Sequence, residues 1–257
     1  MVKAQKPASV RGKAAIALLL TFVAGSVDVA GCLILYRVFT AHVSGDTAHL
    51  GLDLPRFKWH DAAIAGVVIG SFLLGSVIAR TIIEIGARIH LRRVASIALA
   101  IEALILLSFI VVAGIEMGMG HTLAPWWLAG LACAMGIQTG TLTRVGPLTV
   151  HTTFVTGMLN KLAQLLSHVL FETYHLHFAA GDDRRAFLLR RQTYGKQAVF
   201  IFSIWLLYLT GAMCGTLLTL VAGVRALYLP VFLLTTAIIA DWMRPLSVEE
   251  EKEQSER

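Results

Sequence analysis

FTAHVSGDTAHLG, residues 39–51, carries two histidines and an aspartate immediately behind an apolar run, residues 15–39. That run is long enough to cross a membrane. The polar stretch after it is therefore a surface loop, a metal site, or working backbone inside the bilayer. Composition favours a membrane setting. Of 257 residues, 56% are hydrophobic and only 15% charged, and the mean hydropathy is +0.72, well above that of an ordinary soluble domain. A helix rises about 1.5 Å per residue, so roughly 20 apolar residues cross a hydrocarbon core of about 30 Å. Six runs meet that length: 15–39, 61–82, 93–115, 126–147, 198–222 and 224–243.

The first run resembles a secretory signal, with Lys3, Lys6, Arg11 and Lys13 ahead of AAIALLLTFVAGS. Its apolar character resumes at once through VDVAGCLILY, which predicts a retained span. Cys32, Cys133 and Cys214 fall in three different runs with no ligand spacing, so they read as small core residues. The net charge of +6 comes from basic blocks between apolar runs. Such blocks are topology signals and contacts for the lipid bilayer rather than a nucleic-acid surface.

Arg and Lys cluster before the first span, at Arg80, Arg88, Arg92 and Arg93, and at Lys161, Arg184, Arg185, Arg190, Arg191 and Lys196. The opposite loops hold only Arg56, Lys58 and Arg225. Both termini are then cytoplasmic by the excess of positive charge on that side.

The chain repeats itself once. GSVDVAG (25–31) matches GIQTGT (136–141), setting Asp28 opposite Gln138; HVSG (42–45) matches FVTG (154–157); GVVIGS (66–71) matches GAMCGT (211–216). Each half has three spans, so the halves run in opposite directions. The predicted fold is an all-α integral membrane protein of six transmembrane helices in two inverted repeats with interrupted helices. Its parts are a basic segment 1–14, repeats 15–115 and 126–243, a basic cytoplasmic insert at about 160–197 within the second, and an acidic tail 244–257. Inverted repeats with broken helices are a recurring plan of secondary transporters, with sites at the midplane between halves.

Asp28 in a small-residue first span, AHVSGDTAHLG behind it, and GIQTGTLTR with TFVTG later resemble the YoaK-like family of six-span bacterial membrane proteins. The resemblance implies the six-span fold and an inner-membrane location, and no particular activity. His42, Ser44 and Asp46 stand where that family tends to have Asn, Thr and Asn.

Asp28 and, in ALAIEALILL, Glu102 lie near mid-depth of their spans. A carboxylate there costs several kcal/mol unless it is paired, protonated or hydrated, which marks both as candidates for binding a coupling ion. Gln138 supplies a neutral polar contact or a clamp between helices. Arg37 and Arg144, near span ends, either contact an anion through the guanidinium or snorkel to headgroups. Ser44 and Thr156 read as N-caps, followed by Gly45 and Gly157, each starting a short helix whose free N–H groups suit an anionic ligand.

His42, Asp46, His49 and Asp53 are spaced four, three and four apart. On one helical face they form the rival metal-binding reading, with Gly45 interrupting it. His151, His168, His175 and His177 read as interfacial. No GxxxxGK[ST], HExxH or GxSxG string occurs, so the expectation is no enzyme and no cofactor. The GxxxG pairs Gly66/Gly70 and Gly211/Gly215 suit close helix packing, within a protomer or in a homodimer. The sequence therefore predicts an inner-membrane secondary transporter of a small solute or ion. A membrane metal-binding protein or metalloenzyme on His42, Asp46 and His49, and a passive channel, are the alternatives.

Overall fold

The structure is a computed structural model that describes residues 9–35, 38–91, 93–119, 126–142, 144–145, 148–178 and 181–246. Arg37, the first eight residues and the acidic tail from 247 lie outside them. The elements in order are α1 (Val10–Ile34), α2 (Val43–Asp53) with a 3-10 turn at Leu54–Arg56, α3 (Trp59–Arg88), α4 (Val94–Gly118) and α5 (Trp126–Thr141). A short hairpin follows, β1 (Arg144–Val145) and β2 (Leu148–Thr149), antiparallel with Arg144 opposite Thr149. Then come α6 (Val155–Leu176), α7 (Gly181–Ala222), a 3-10 turn at Gly223–Leu227, and α8 (Tyr228–Met243).

The chain is an all-α membrane protein. Four described helical segments are long and apolar enough to cross a bilayer: Val10–Ile34, Trp59–Arg88, Val94–Glu116 and Asp183–Met243. The last contains both α7 and α8. Helix α5, with 16 residues, is about 24 Å long and falls short of a full span.

Two predicted runs end early. The run 15–39 leaves helical geometry at Leu35 (φ −121°, ψ 115°), and the run 126–147 leaves it after Thr141. Non-helical backbone in apolar surroundings needs other hydrogen-bond partners. After α1 these are the oxygens of Asp28, described below.

Helix α1 forms the centre of the core, with Leu20, Val23, Ala24 and Val27 fully buried. It packs along α7, while α5 packs along α3; α2 lies on α3, and α6 on α7. Both long seams close through glycine. A Cβ on Gly25 would overlap the carbonyl oxygen of Tyr208, and one on Gly211 that of Phe22. In the other seam, a Cβ on Gly136 would overlap the carbonyl oxygen of Phe72, and one on Gly75 that of Cys133. Close backbone approach through small residues is how membrane helices gain packing that lipid cannot supply. Gly215 also meets Ser26, but Gly66 and Gly70 face open space among the described residues. Within the protomer the glycine that α3 uses is therefore Gly75, on another face of the helix from the predicted pair Gly66/Gly70.

Sequence reading missed one structural acid. Asp241 in α8 is fully buried; its Oδ2 accepts the Ser96 amide and hydroxyl at the start of α4, and its Oδ1 accepts the Leu246 amide at 2.8 Å. It closes the free N–H groups of one helix and fixes the chain leaving another. Asp241→Ala is expected to lower stability by about 1–3 kcal/mol, as loss of a cap and buried acceptor does, read as a fall in melting temperature in detergent. An unchanged melting temperature would contradict this role.

Candidate functional site

Asp28 lies in α1, fully buried. Its Oδ1 accepts the amides of Thr40 (2.6 Å) and Ala41 (2.9 Å) and the Thr40 hydroxyl (3.1 Å). Its Oδ2 accepts the Tyr208 hydroxyl from α7 at 2.6 Å and lies 2.7 Å from Nδ1 of His42. Five donors converge on one carboxylate, so the charge is met by hydrogen bonds on every side. The same contacts explain why the backbone leaves α1 early: Asp28 accepts from amides that would otherwise need helical partners.

The V-[ST]-G elements do start α2 and α6, but not as capped by Ser44 and Thr156. The N-cap positions are His42 and Phe154, neither with a side-chain cap bond. Ser44 and Thr156 are second helical residues, and Gly45 and Gly157 third. In α6 the Phe154 ring folds back over the first turn, whereas in α2 the His42 ring turns to Asp28. A Cβ on Gly157 would overlap the Phe154 ring, and one on Gly45 would touch Cβ of His42 at 4.0 Å. Helix α2 is short, as expected, whereas α6 runs for 22 residues along α7.

Each helix start carries a second ring three residues earlier. Phe39 and His42 have ring centroids 4.7 Å apart, and His151 and Phe154 6.3 Å apart. The pair is the same with the identities exchanged. Both starts open into one cavity of about 470 Å³. His42, Ser44 and Thr47 line it from one side, His151, Thr153, Phe154 and Thr156 from the other, with Phe72 and Thr139 from the α3–α5 seam. Thr139 and Thr153 share a hydrogen bond between hydroxyls at 2.6 Å.

The remaining predicted residues lie elsewhere. Gln138 is buried and does not line this cavity; its Nε2 donates to the Leu20 carbonyl (2.6 Å) and the Thr152 hydroxyl (3.3 Å), clamping α5 to α1 and to the segment before α6. Glu102 in α4 is fully buried, and neither of its carboxylate oxygens has a hydrogen-bond partner among the described residues. Arg144 opens β1 opposite Thr149. Asp46 and His49 line a different cavity, of about 410 Å³ between α2 and α3, while His42 turns to Asp28. Among the described residues no group of three or more His, Cys, Asp or Glu side chains is set to hold a metal ion. Tyr208, Thr139 and His151 were not singled out for the site from sequence; nothing local to Tyr208 links it to an acid in another half of the chain.

The two histidines differ in electrostatics. The hydrogen bond to Asp28 raises the His42 pKa above its usual value; burial opposes this, and the charges of Asp28 and Asp46 add to it. His151 is lowered, by burial first and then by Lys161. For His42 the charged form is favoured in the folded chain. Its stabilisation is therefore complete below the ordinary value of 6.5 and lost as pH rises through the raised value. Wild-type protein is expected to lose its melting-temperature advantage over His42→Gln as pH rises from about 6 to about 9. A difference that does not change with pH would count against this assignment.

The family model described as "Protein of unknown function (DUF1275)" matches residues 16–240. The chain belongs to this family. Among curated proteins, this DUF1275 chain is 29% identical over 153 residues to "UPF0700 transmembrane protein YoaK" of Bacillus subtilis (strain 168), covering 60% of this chain and 67% of that protein. No solved structure matches. The resemblance read from Asp28, AHVSGDTAHLG and TFVTG is thus the right family.

Proposed function

We propose that this DUF1275 protein is a secondary transporter of a small solute in the bacterial inner membrane, with both termini cytoplasmic, and that it draws on the proton gradient. The observation that carries the reading is the single cavity into which the α2 and α6 starts both open, with the buried Asp28 paired to the exposed His42 at its edge.

Two inverted three-span halves are supported by the exchanged packing of the seams. Gly25 meets Tyr208 as Gly136 meets Phe72, and Gly211 meets Phe22 as Gly75 meets Cys133. One offset relates α1 to α5 and another relates α3 to α7. The first offset carries Asp28 onto Thr139 rather than Gln138. In each half that residue ties down the segment leading into the next helix: Asp28 through Thr40 and Ala41, Thr139 through Thr153. Only one half brings a charge. Sites between inverted halves, with helix starts aimed at the solute, are the plan of many such transporters.

The helix starts, the ring of hydroxyls and His42 favour a solute bearing a carboxylate or another small anionic group. Coupling follows from charge. When His42 is an imidazolium, the pair with Asp28 is neutral overall and an anion can sit beside it. When His42 is neutral, the charge of Asp28 repels the anion. Protonation and anion binding then strengthen each other reciprocally.

A thermal-shift screen of small anions, amines and metal ions tests the reading, since a ligand bound only to the folded state stabilises it by about 2.7 kcal/mol at a hundred times its Kd. A small anion is expected to raise the melting temperature of the wild type and to do so at least about tenfold less potently in Ser44→Trp, whose indole fills the cavity from an exposed helix position. A ligand that acts equally on both proteins would place binding elsewhere and overturn the reading.

A further inference from the structure

The cavity between α2 and α3 is distinct from the one described above. Its rim carries His49, Arg56, Lys58 and Asp61, all exposed, and its floor carries Asp46 and Asp53, 5% and 7% exposed. Asp46 Oδ2 is buried with no hydrogen-bond partner among the described residues. A buried acceptor left unpaired bears its full desolvation cost, and taking a proton relieves it. Asp46 also lies one helical turn beyond His42: its amide donates to the His42 carbonyl at 3.0 Å, and the charge of each side chain acts on the other.

We propose that the α2–α3 cavity is a proton inlet, and that Asp46 takes up the proton and hands it to the His42–Asp28 pair. In the first step a hydronium ion in the cavity gives its proton to the Asp46 carboxylate that lines it and leaves as water. In the second, the O–H bond of Asp46 breaks and an N–H bond forms at Nε2 of neutral His42, whose Nδ1–H stays on Asp28. The products are the Asp46 carboxylate and an imidazolium paired with the Asp28 carboxylate, with no change of oxidation state.

The charged groups around Asp46 are His42 at the cap of its helix, His49 and Asp53 on the same helix, Arg56 in the following turn, Lys58 and Asp61 at the start of α3, and Asp28 on α1. Burial, with the charge of Asp28 added, pushes Asp46 up to about 6, and the two histidines oppose this. Such a group loads and unloads close to neutral pH. The proposal rests on the transporter reading for its purpose, while its chemistry is testable without any transported solute.

The experiment uses the full chain in lipid nanodiscs with nitrogen-15-labelled histidine, following the His42 ring through a pH titration. Asp46→Asn is expected to lower the His42 midpoint enough to cut its protonated fraction at pH 7 about twofold or more, while Asp53→Asn leaves the midpoint in place and Asp46→Glu restores it. In parallel, dicyclohexylcarbodiimide, which modifies protonated carboxyl groups in apolar surroundings, is expected to label Asp46 at pH 5 and progressively less as pH rises through about 6. A His42 midpoint unmoved in an Asp46→Asn protein of wild-type melting temperature, or no labelling of Asp46 at pH 5, overturns the inlet. Should Asp46→Asn not fold, the labelling decides alone. Failure to find any solute would instead strike the transporter reading and leave these two results intact.

Discussion

Replacing Asp28 by Asn is expected to reduce solute flux driven by an imposed pH gradient in proteoliposomes by about 100-fold or more, while Glu102→Gln leaves that flux within about threefold of wild type. The amide can keep one oxygen for the Thr40 and Ala41 amides. It then turns an NH₂ group toward the Tyr208 hydroxyl and Nδ1 of His42, two groups that now donate to Asp28. Two donors lose their acceptor and His42 loses its counter-charge. Leaving a buried donor without its acceptor costs about 1–3 kcal/mol, so the melting temperature of Asp28→Asn should fall as well. The contrast with Glu102 is geometric. Among the described residues Glu102 lines neither cavity and has no hydrogen-bond partner, whereas Asp28 joins α1, α7 and the start of α2. Asp28→Asn flux that still follows the pH gradient would exclude Asp28 from coupling; Glu102→Gln flux that does not would move the coupling site to α4.

The second large effect lies in the seams. Gly136→Leu is expected to prevent α3 and α5 from closing, because the position of its Cβ is already taken by the Phe72 carbonyl and approached by the Ser76 amide. Overpacking a core costs about 1–3 kcal/mol when side chains can shift, and here the obstacle is backbone, so the loss should exceed that range. Gly211→Leu is expected to do the same to the α1–α7 seam. Gly66→Leu and Gly70→Leu, with nothing nearby, serve as controls and should stay within about 0.5 kcal/mol of wild type. The readout is the yield of monodisperse protein in detergent and its melting temperature. Equal behaviour of Gly136→Leu and Gly70→Leu would contradict the packing described.

The residues that were legible in the sequence are those whose meaning is local. Asp28 stood out because an acid amid small apolar residues is rare at any depth of a membrane. HVSG and FVTG stood out because a glycine behind a hydroxyl interrupts two apolar runs in the same way, and both do start helices at one cavity. What sequence could not give depends on which face meets which partner. Gly66 and Gly70 have the spacing, but within the protomer the contact of α3 belongs to Gly75, on another face. Ser44 and Thr156 have cap-forming side chains, but the cap positions fall on His42, whose ring Asp28 holds, and on Phe154, for whose ring Gly157 leaves room. His42, Asp46 and His49 share a helical spacing, yet Asp28 takes Nδ1 of His42 and the three do not converge on one point among the described residues. Tyr208 has no local signature, since its role exists only where α7 lies against α1.

Helix α7, with 42 residues, is about 63 Å long, roughly twice the thickness of a hydrocarbon core. Helix α6 is bound along it and begins at the cavity wall with Phe154 and Val155. At 22 residues, α6 is about 33 Å long. The two form a stiff arm with one end in the cavity and the other carrying the exposed arginines Arg184, Arg185, Arg190 and Arg191. A tilt of about 10° at the cavity end sweeps the far end of an arm about 33 Å long through about 6 Å. An adjustment of that size at the cavity would therefore displace the basic tip far enough to be read as a distance between two attached labels.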